Sequence, residues 1–132
     1  MSRRLTTALL AALLVAACES RDVQTDLTIV NAQTGWFDAG ILEGGMNKLV
    51  PSISLELQNV SDRDIASVQL NAVFRRAGAA EWWGAHFVRA IDASGLAAGA
   101  TSDLIVLRST LGYTGTQARA QMLQNKAFVD TR

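Results

Sequence analysis

Downstream of residue 20, apolar and polar residues alternate with a period of two through most of the chain. Leu49, Ile53, Leu55 and Leu57 fill one set of alternate positions, and Ser52, Ser54 and Glu56 fill the other. Successive side chains of a strand point to opposite faces, so this pattern predicts a half-buried strand over residues 49–57. Residues 59–64, Asn-Val-Ser-Asp-Arg-Asp, supply turn formers. Ala66, Val68, Leu70, Ala72 and Phe74 then alternate with Ser67, Gln69 and Asn71. The two segments are expected to pair antiparallel across that turn. Pro51 falls at the start of the first, where a missing N–H is tolerated.

The same reading extends in both directions. Val23, Thr25, Leu27 and Ile29 alternate and predict a first strand, followed by a glycine-rich stretch over residues 35–45. Residues 77–80 break the pattern. Residues 81–90 carry Trp82, Trp83 and Phe87 and suit a strand with one packed face. Ser94, Gly95 and Gly99 mark a loop, and four consecutive apolar residues at 104–107 predict a strand covered on both faces. Residues 117–125 form the one helical candidate, with Thr116 as its cap and Ala118 and Met122 on one side. Residues 126–131 read as strand again, either as the closing strand of the domain or as the start of one that the chain lacks. Five or six short strands between turns define the expected fold class: all-β, an antiparallel sandwich with one short helix near the C-terminus.

The N-terminus follows a different pattern. Arg3 and Arg4 precede an apolar run over residues 5–17 that only Thr6 and Thr7 interrupt, and Cys18, Glu19, Ser20, Arg21 and Asp22 end it. A membrane-spanning helix needs about 20 apolar residues. This shorter run behind positive charge predicts a signal peptide. Val15, Ala16, Ala17 and Cys18 resemble the lipobox of bacterial lipoproteins. That resemblance implies recognition of Val15, Ala16 and Ala17 by a dedicated peptidase, cleavage before Cys18 and lipidation of the Cys18 thiol. Two or three acyl chains would make the attachment stable, because each buried methylene adds about 0.8 kcal/mol. The implied layout is a signal peptide at 1–17, a tether at 18–24 and a sandwich domain at 25–132. Glu19, where aspartate favours inner-membrane retention in the enterobacterial branch of that family, points to the periplasmic face of the outer membrane.

Charge and chemistry narrow the function without naming it. The full chain carries 12 Lys plus Arg against 12 Asp plus Glu. Loss of Arg3 and Arg4 with residues 1–17 would leave 10 against 12, a formal −2. No basic stripe suggests nucleic acid, and Arg75 with Arg76 reads as a solvated strand end. Cys18 is the only cysteine, so no disulfide is available, and a lipidated thiol is lost as nucleophile or metal ligand. His86 is the only histidine, and no nucleophile-elbow glycine pattern surrounds any serine. One histidine cannot start a zinc site. Glu43, Glu56, Glu81 and Asp92 show no catalytic spacing, and Asp62 with Asp64 lacks the rest of a calcium loop. Gly112, Tyr113, Thr114 and Gly115 ahead of the helix read as an ordinary loop, with anion binding as the alternative. The expectation is therefore no enzyme, no metal and no cofactor.

Aromatic residues are the remaining handle. Trp36 and Phe37 lie beside glycine, and the neighbours Trp82 and Trp83 must point to opposite faces of a strand, one toward the core and one outward. Trp36, Trp82 and Trp83 are the candidate binding surface.

Residues 49–108 resemble the immunoglobulin-like sandwich of FxLYD-type bacterial domains. The residues that carry the likeness are Leu57, Gln58, Asn59, Val60, Ser61 and Asp62 before the second strand, and Leu96 to Thr101 before 104–107, with Ala98 where proline is common. The resemblance implies a non-catalytic domain. The leading expectation is a lipid-anchored envelope protein that binds or scaffolds another envelope component; the alternative is a module that binds a saccharide or peptidoglycan fragment.

Overall fold

The computed structural model describes residues 22–125. The charged and apolar leader, Val15 to Cys18, and the strand-like residues 126–131 lie outside the described residues. Two antiparallel sheets pack face to face. The first contains β1 (Leu27–Ile41), β2 (Asn47–Asn59), β5 (Ile105–Arg108) and β6 (Tyr113–Gly115). β2 is central, with β1 along one edge and β5 and β6 in succession along the other. The second sheet is the hairpin of β3 (Val68–Arg75) and β4 (Trp82–Ile91). A single helical turn, α1 (Val23–Asp26), precedes β1, and a short helix, α2 (Arg119–Leu123), follows β6. The chain is an all-β antiparallel sandwich with a short helix near its described C-terminal end.

Alternation places the core. Leu55 and Leu57 of β2 and Ile105 and Leu107 of β5 point inward and meet Val68 and Ile91 of the second sheet, with Ile65 and Leu96 filling the space from the connections. Each such side chain contributes about 1.5–3 kcal/mol when fully buried.

The pairing of residues 49–57 with 66–74 expected from the sequence does not form. β2 pairs with β1, β5 and β6, while β3 lies in the opposite sheet and pairs with β4. The cause is Asn59, which has no exposed surface. Its Nδ2 donates to the carbonyls of Arg63 (2.8 Å), Leu96 (3.1 Å) and Ala97 (3.1 Å), and its Oδ1 accepts from the Ser61 N–H (3.0 Å) and hydroxyl (2.7 Å). Residues 59–65 are thereby tied to the turn at 96–97 and not folded into a tight hairpin. Ile65 bridges to Leu96, and the chain crosses to the other sheet.

Other expectations change for local reasons. The strand expected from Val23 starts at Leu27, because its partner β2 ends at Asn59 opposite Leu27. Val23–Asp26 instead coils into a turn capped by Asp22, which accepts from the Gln24 N–H at 3.0 Å, and the Asp26 carbonyl accepts the Val60 N–H at 2.9 Å. β1 in turn runs through the glycine-rich stretch to Ile41, with irregularities near Asn31 and Gly40, both at positive φ. Pro51 is an interior residue of central β2, not its start. Its carbonyl accepts from the Ser109 N–H at 2.8 Å, so its nitrogen also faces that side, where β2 changes neighbour from β5 to β6 and no ladder donor is lost. β5 is covered on one face only: Ile105 and Leu107 are buried while Leu104 and Val106 are exposed. α2 is shorter than expected and begins after Ala118 without a side-chain cap, so Thr116 does not cap it. The preceding Gln117 carbonyl accepts from Asn47 Nδ2 and stays with the sheet. Met122 buries itself beside Gly115, and Arg119 pairs with Asp38 at 2.5 Å.

Two predictions follow from this packing. Asn59→Ala strands several buried partners and is expected to cost about 3 kcal/mol, read as a lower denaturant midpoint at unchanged slope. A Cβ at Gly112 would lie 2.1 Å from the Leu49 carbonyl oxygen, whereas one at Gly35 meets nothing within 4 Å. Gly112→Ala should therefore cost more than about 2 kcal/mol and Gly35→Ala less than about 1 kcal/mol in the same assay.

Candidate binding surface

Trp36, on the inward face of β1, and Tyr113 of β6 belong to the first sheet; Trp83 belongs to the second. Their rings meet between the sheets. Trp36 and Trp83 are edge-on with centroids 6.3 Å apart, Trp36 and Tyr113 are 5.6 Å apart, and Trp83 and Tyr113 are 5.1 Å apart. Arg76 lays its guanidinium 5.1 Å from the Trp83 centroid and 5.6 Å from that of Tyr113. Cations favour the electron-rich ring face, so the arginine caps the cluster. All three rings are half-buried.

Trp83 reaches this cluster because β4 is irregular there. Phe74 pairs with Gly84 but Arg75 pairs with Trp82, leaving Trp83 as the extra residue. Such a bulge re-aims a side chain. Trp82 lies outside the cluster and is 62% exposed. The structure thus brings two of the three candidate tryptophans together and sets the third apart. Tyr113 and Arg76 are the members that sequence reasoning missed. Residues 113–115, read as loop, form a strand on β2, so no helix terminus stands there to bind an anion. The only local signal was an aromatic residue flanked by Gly112 and Gly115, the former needed because β6 and β2 approach so closely.

Several other polar groups do structural work. His86 Nδ1 accepts the Arg108 N–H of β5 at 3.0 Å, so the single histidine joins the two sheets. At the same seam a Cβ on Gly84 would lie 2.0 Å from Ser109 Oγ, so only glycine allows β4 this close. Asp64 accepts from the Ala98 N–H at 3.0 Å and ties two connections together, while Asp62 is solvent-exposed with its carboxylate 3.9 Å from the Arg63 Nε. The Ser94 hydroxyl, then the Ser94 N–H, hold the Asp92 carboxyl below the usual aspartate range. Among the described residues, no group of three or more His, Cys, Asp or Glu side chains is placed to hold a metal ion. No described helix is long and apolar enough to cross a membrane.

The sheets are joined along β4 and β5 and diverge between β1 and β3. The divergence leaves a groove of about 290 Å³ with mainly apolar walls, among them Ile29, Ile53, Leu70 and Phe74. On the far face of the first sheet, Arg108 covers the Phe37 ring at 3.6 Å. No family model matches the chain, and neither a curated protein nor a solved structure matches it.

The two neighbouring tryptophans should behave differently. Trp83→Ala removes a ring that bridges the sheets and is expected to cost about 3 kcal/mol, while Trp82→Ala should stay within about 0.5 kcal/mol, both by denaturant unfolding. The Asp92 carboxyl, lowered in the fold, favours the native state above the ordinary aspartate range and loses that contribution as pH falls through its folded value. Carboxyl chemical shifts should titrate below the ordinary aspartate range, and Ser94→Ala should move that midpoint upward.

Proposed function

We propose that this protein is a lipid-anchored component of a bacterial cell envelope that binds or scaffolds rather than catalyses. The observation that carries the reading is the order of residues ahead of the fold. A positive start, an apolar run too short to span a bilayer and Val15-Ala16-Ala17-Cys18 end four residues before Asp22, the first described residue. A signal peptide and lipidated cysteine in those positions put the sandwich directly at a membrane surface. Glu19 favours the periplasmic face of the outer membrane over the inner membrane. The immunoglobulin-like reading of the sandwich is supported by the division of β1, β2 and β5 from β3 and β4, and by the Asn59 and Ser61 turn between β2 and β3.

Binding is favoured over catalysis by how the polar groups are used. The one histidine engages a backbone N–H of the opposite sheet, and Asp64 and Asp92 are spent on turns. A saccharide or peptidoglycan fragment is the second reading. The ring cluster of Trp36, Trp83 and Tyr113 with exposed Trp82 favours it, since rings of this kind stack on sugar faces.

Replacement of Cys18 by Ala should abolish metabolic labelling with a fatty acid and leave the precursor uncut. A variant that matures normally would overturn the anchor. Glycan fragments that quench tryptophan fluorescence saturably, while envelope proteins do not crosslink to the domain, would favour the saccharide reading over scaffolding.

A further inference from the structure

The outer face of the β3–β4 sheet is built from four cross-strand pairs: Gln69 with Arg89, Asn71 with Phe87, Val73 with Ala85, and Arg75 with Trp82. In β3 the intervening residues Leu70, Ala72 and Phe74 turn toward the other sheet and are half-buried, whereas Gln69, Asn71, Val73 and Arg75 are exposed. Phe87 and Trp82 are each 62% exposed and Val73 is 36% exposed. The middle of the face is therefore apolar and aromatic, with one arginine at each end. The strands β3 and β4 contain no aspartate or glutamate, and the nearest acidic residues, Glu81 and Asp92, lie in the flanking turns. Asp92 faces Arg89 electrostatically but commits its carboxylate to the Ser94 turn. On the outer face of the other sheet, among the described residues, Val106 is exposed, but the aromatic Phe37 is covered by Arg108 and Asn31 engages Glu56.

We propose that this face docks the domain on an anionic bilayer. Tryptophan and phenylalanine partition into the boundary between headgroups and acyl chains, and arginine adds attraction to anionic headgroups. The proposal deepens the anchored reading and rests on it for proximity. Between Cys18 and Asp22 the chain reaches at most about 14 Å even when fully extended. The tether joins the sandwich where Leu27 pairs with Asn59, the same end at which the hairpin presents Arg89 and Ile91. A face so close to a bilayer meets it at high effective concentration, so a small aromatic and cationic patch is sufficient.

The test uses the full chain on vesicles whose lipids carry bromine on the acyl chains, made either of neutral phosphatidylcholine or with 30% phosphatidylglycerol, roughly the regime in which basic residues add to binding. Tryptophan quenching should be at least about twofold greater on the anionic vesicles, following the electrostatic contribution of the two arginines. Trp82→Phe should remove most of that quenching, and the double variant Arg75→Glu, Arg89→Glu should return it to the neutral level. Equal quenching on both vesicles, or quenching unchanged by Trp82→Phe, overturns the proposal. Shielding of Trp82 from acrylamide in native envelopes without quenching by the brominated lipid also overturns it, because a protein then covers the face. Retention on vesicles reports the anchor separately. If acylated chain is retained while Trp82 stays unquenched, docking fails and the anchor stands. If the chain is not retained, the anchor fails; docking is then read from the same quenching at millimolar phosphatidylglycerol, and its absence there overturns docking too.

Discussion

A single buried side-chain amide organises one end of this sandwich. Asn59 uses its oxygen to hold Ser61 and its nitrogen to hold the carbonyls of Arg63, Leu96 and Ala97. An amide offers both a donor and an acceptor side, which is why asparagine can bind two separate connections at once. Its own N–H donates to the Ala100 carbonyl, and Ser102 exchanges bonds with Leu57 two residues earlier in β2. The segments entering β3 and leaving β4 are thus fastened to the end of β2. Ile65 and Leu96 can then be delivered into the core from loops, where apolar residues would otherwise be exposed. Burying these polar groups without partners would be costly; fully partnered, they specify one arrangement of the two sheets.

The opposite end is held by different means. The aliphatic core gives way to the rings of Trp36, Trp83 and Tyr113, which span the gap between sheets without being fully buried. Large rings are suited to this because a few contacts cover much area, and Arg76 covers them from solvent while keeping its charge wet. The sides differ as well. Along β4 and β5 a histidine and the close approach at Gly84 lock the sheets, while between β1 and β3 they part into an apolar groove.

These asymmetries bear on what the domain does. His86, Asp64 and Asp92 are engaged in holding sheets and turns. The described residues also present three surfaces: the groove, the ring cluster and the outward face of the β3–β4 hairpin. A hairpin with one face on the core must expose the other, and most exposed faces are polar. Phe87 and Trp82 depart from that rule, each 62% exposed, which makes their exposure informative.

Much of this was legible in the chain itself. Alternation over 49–57 and 66–74 and the bulky aromatics of 81–90 identified strands, and the turn formers between them identified an all-β fold, because these signals arise from local geometry. The adjacency of Trp82 and Trp83 required one to face outward. Alternation says which face of a strand is buried, but not whether the covering residues belong to a paired strand or to a facing sheet, so the partner of β2 could not be read from it. The role of Asn59 depended on carbonyls more than thirty residues away, and the direction of Trp83 depended on a bulge set by its partner strand. Pro51 could lie inside a central strand because the neighbour on the side its nitrogen faces changes there. The sequence by itself determined the all-β class, the strand character and inward faces of 49–57 and 66–74, and the charged, apolar and cysteine order of the N-terminus. Tertiary structure decided the partners, since pairing and packing are non-local and satisfy the same local pattern equally well.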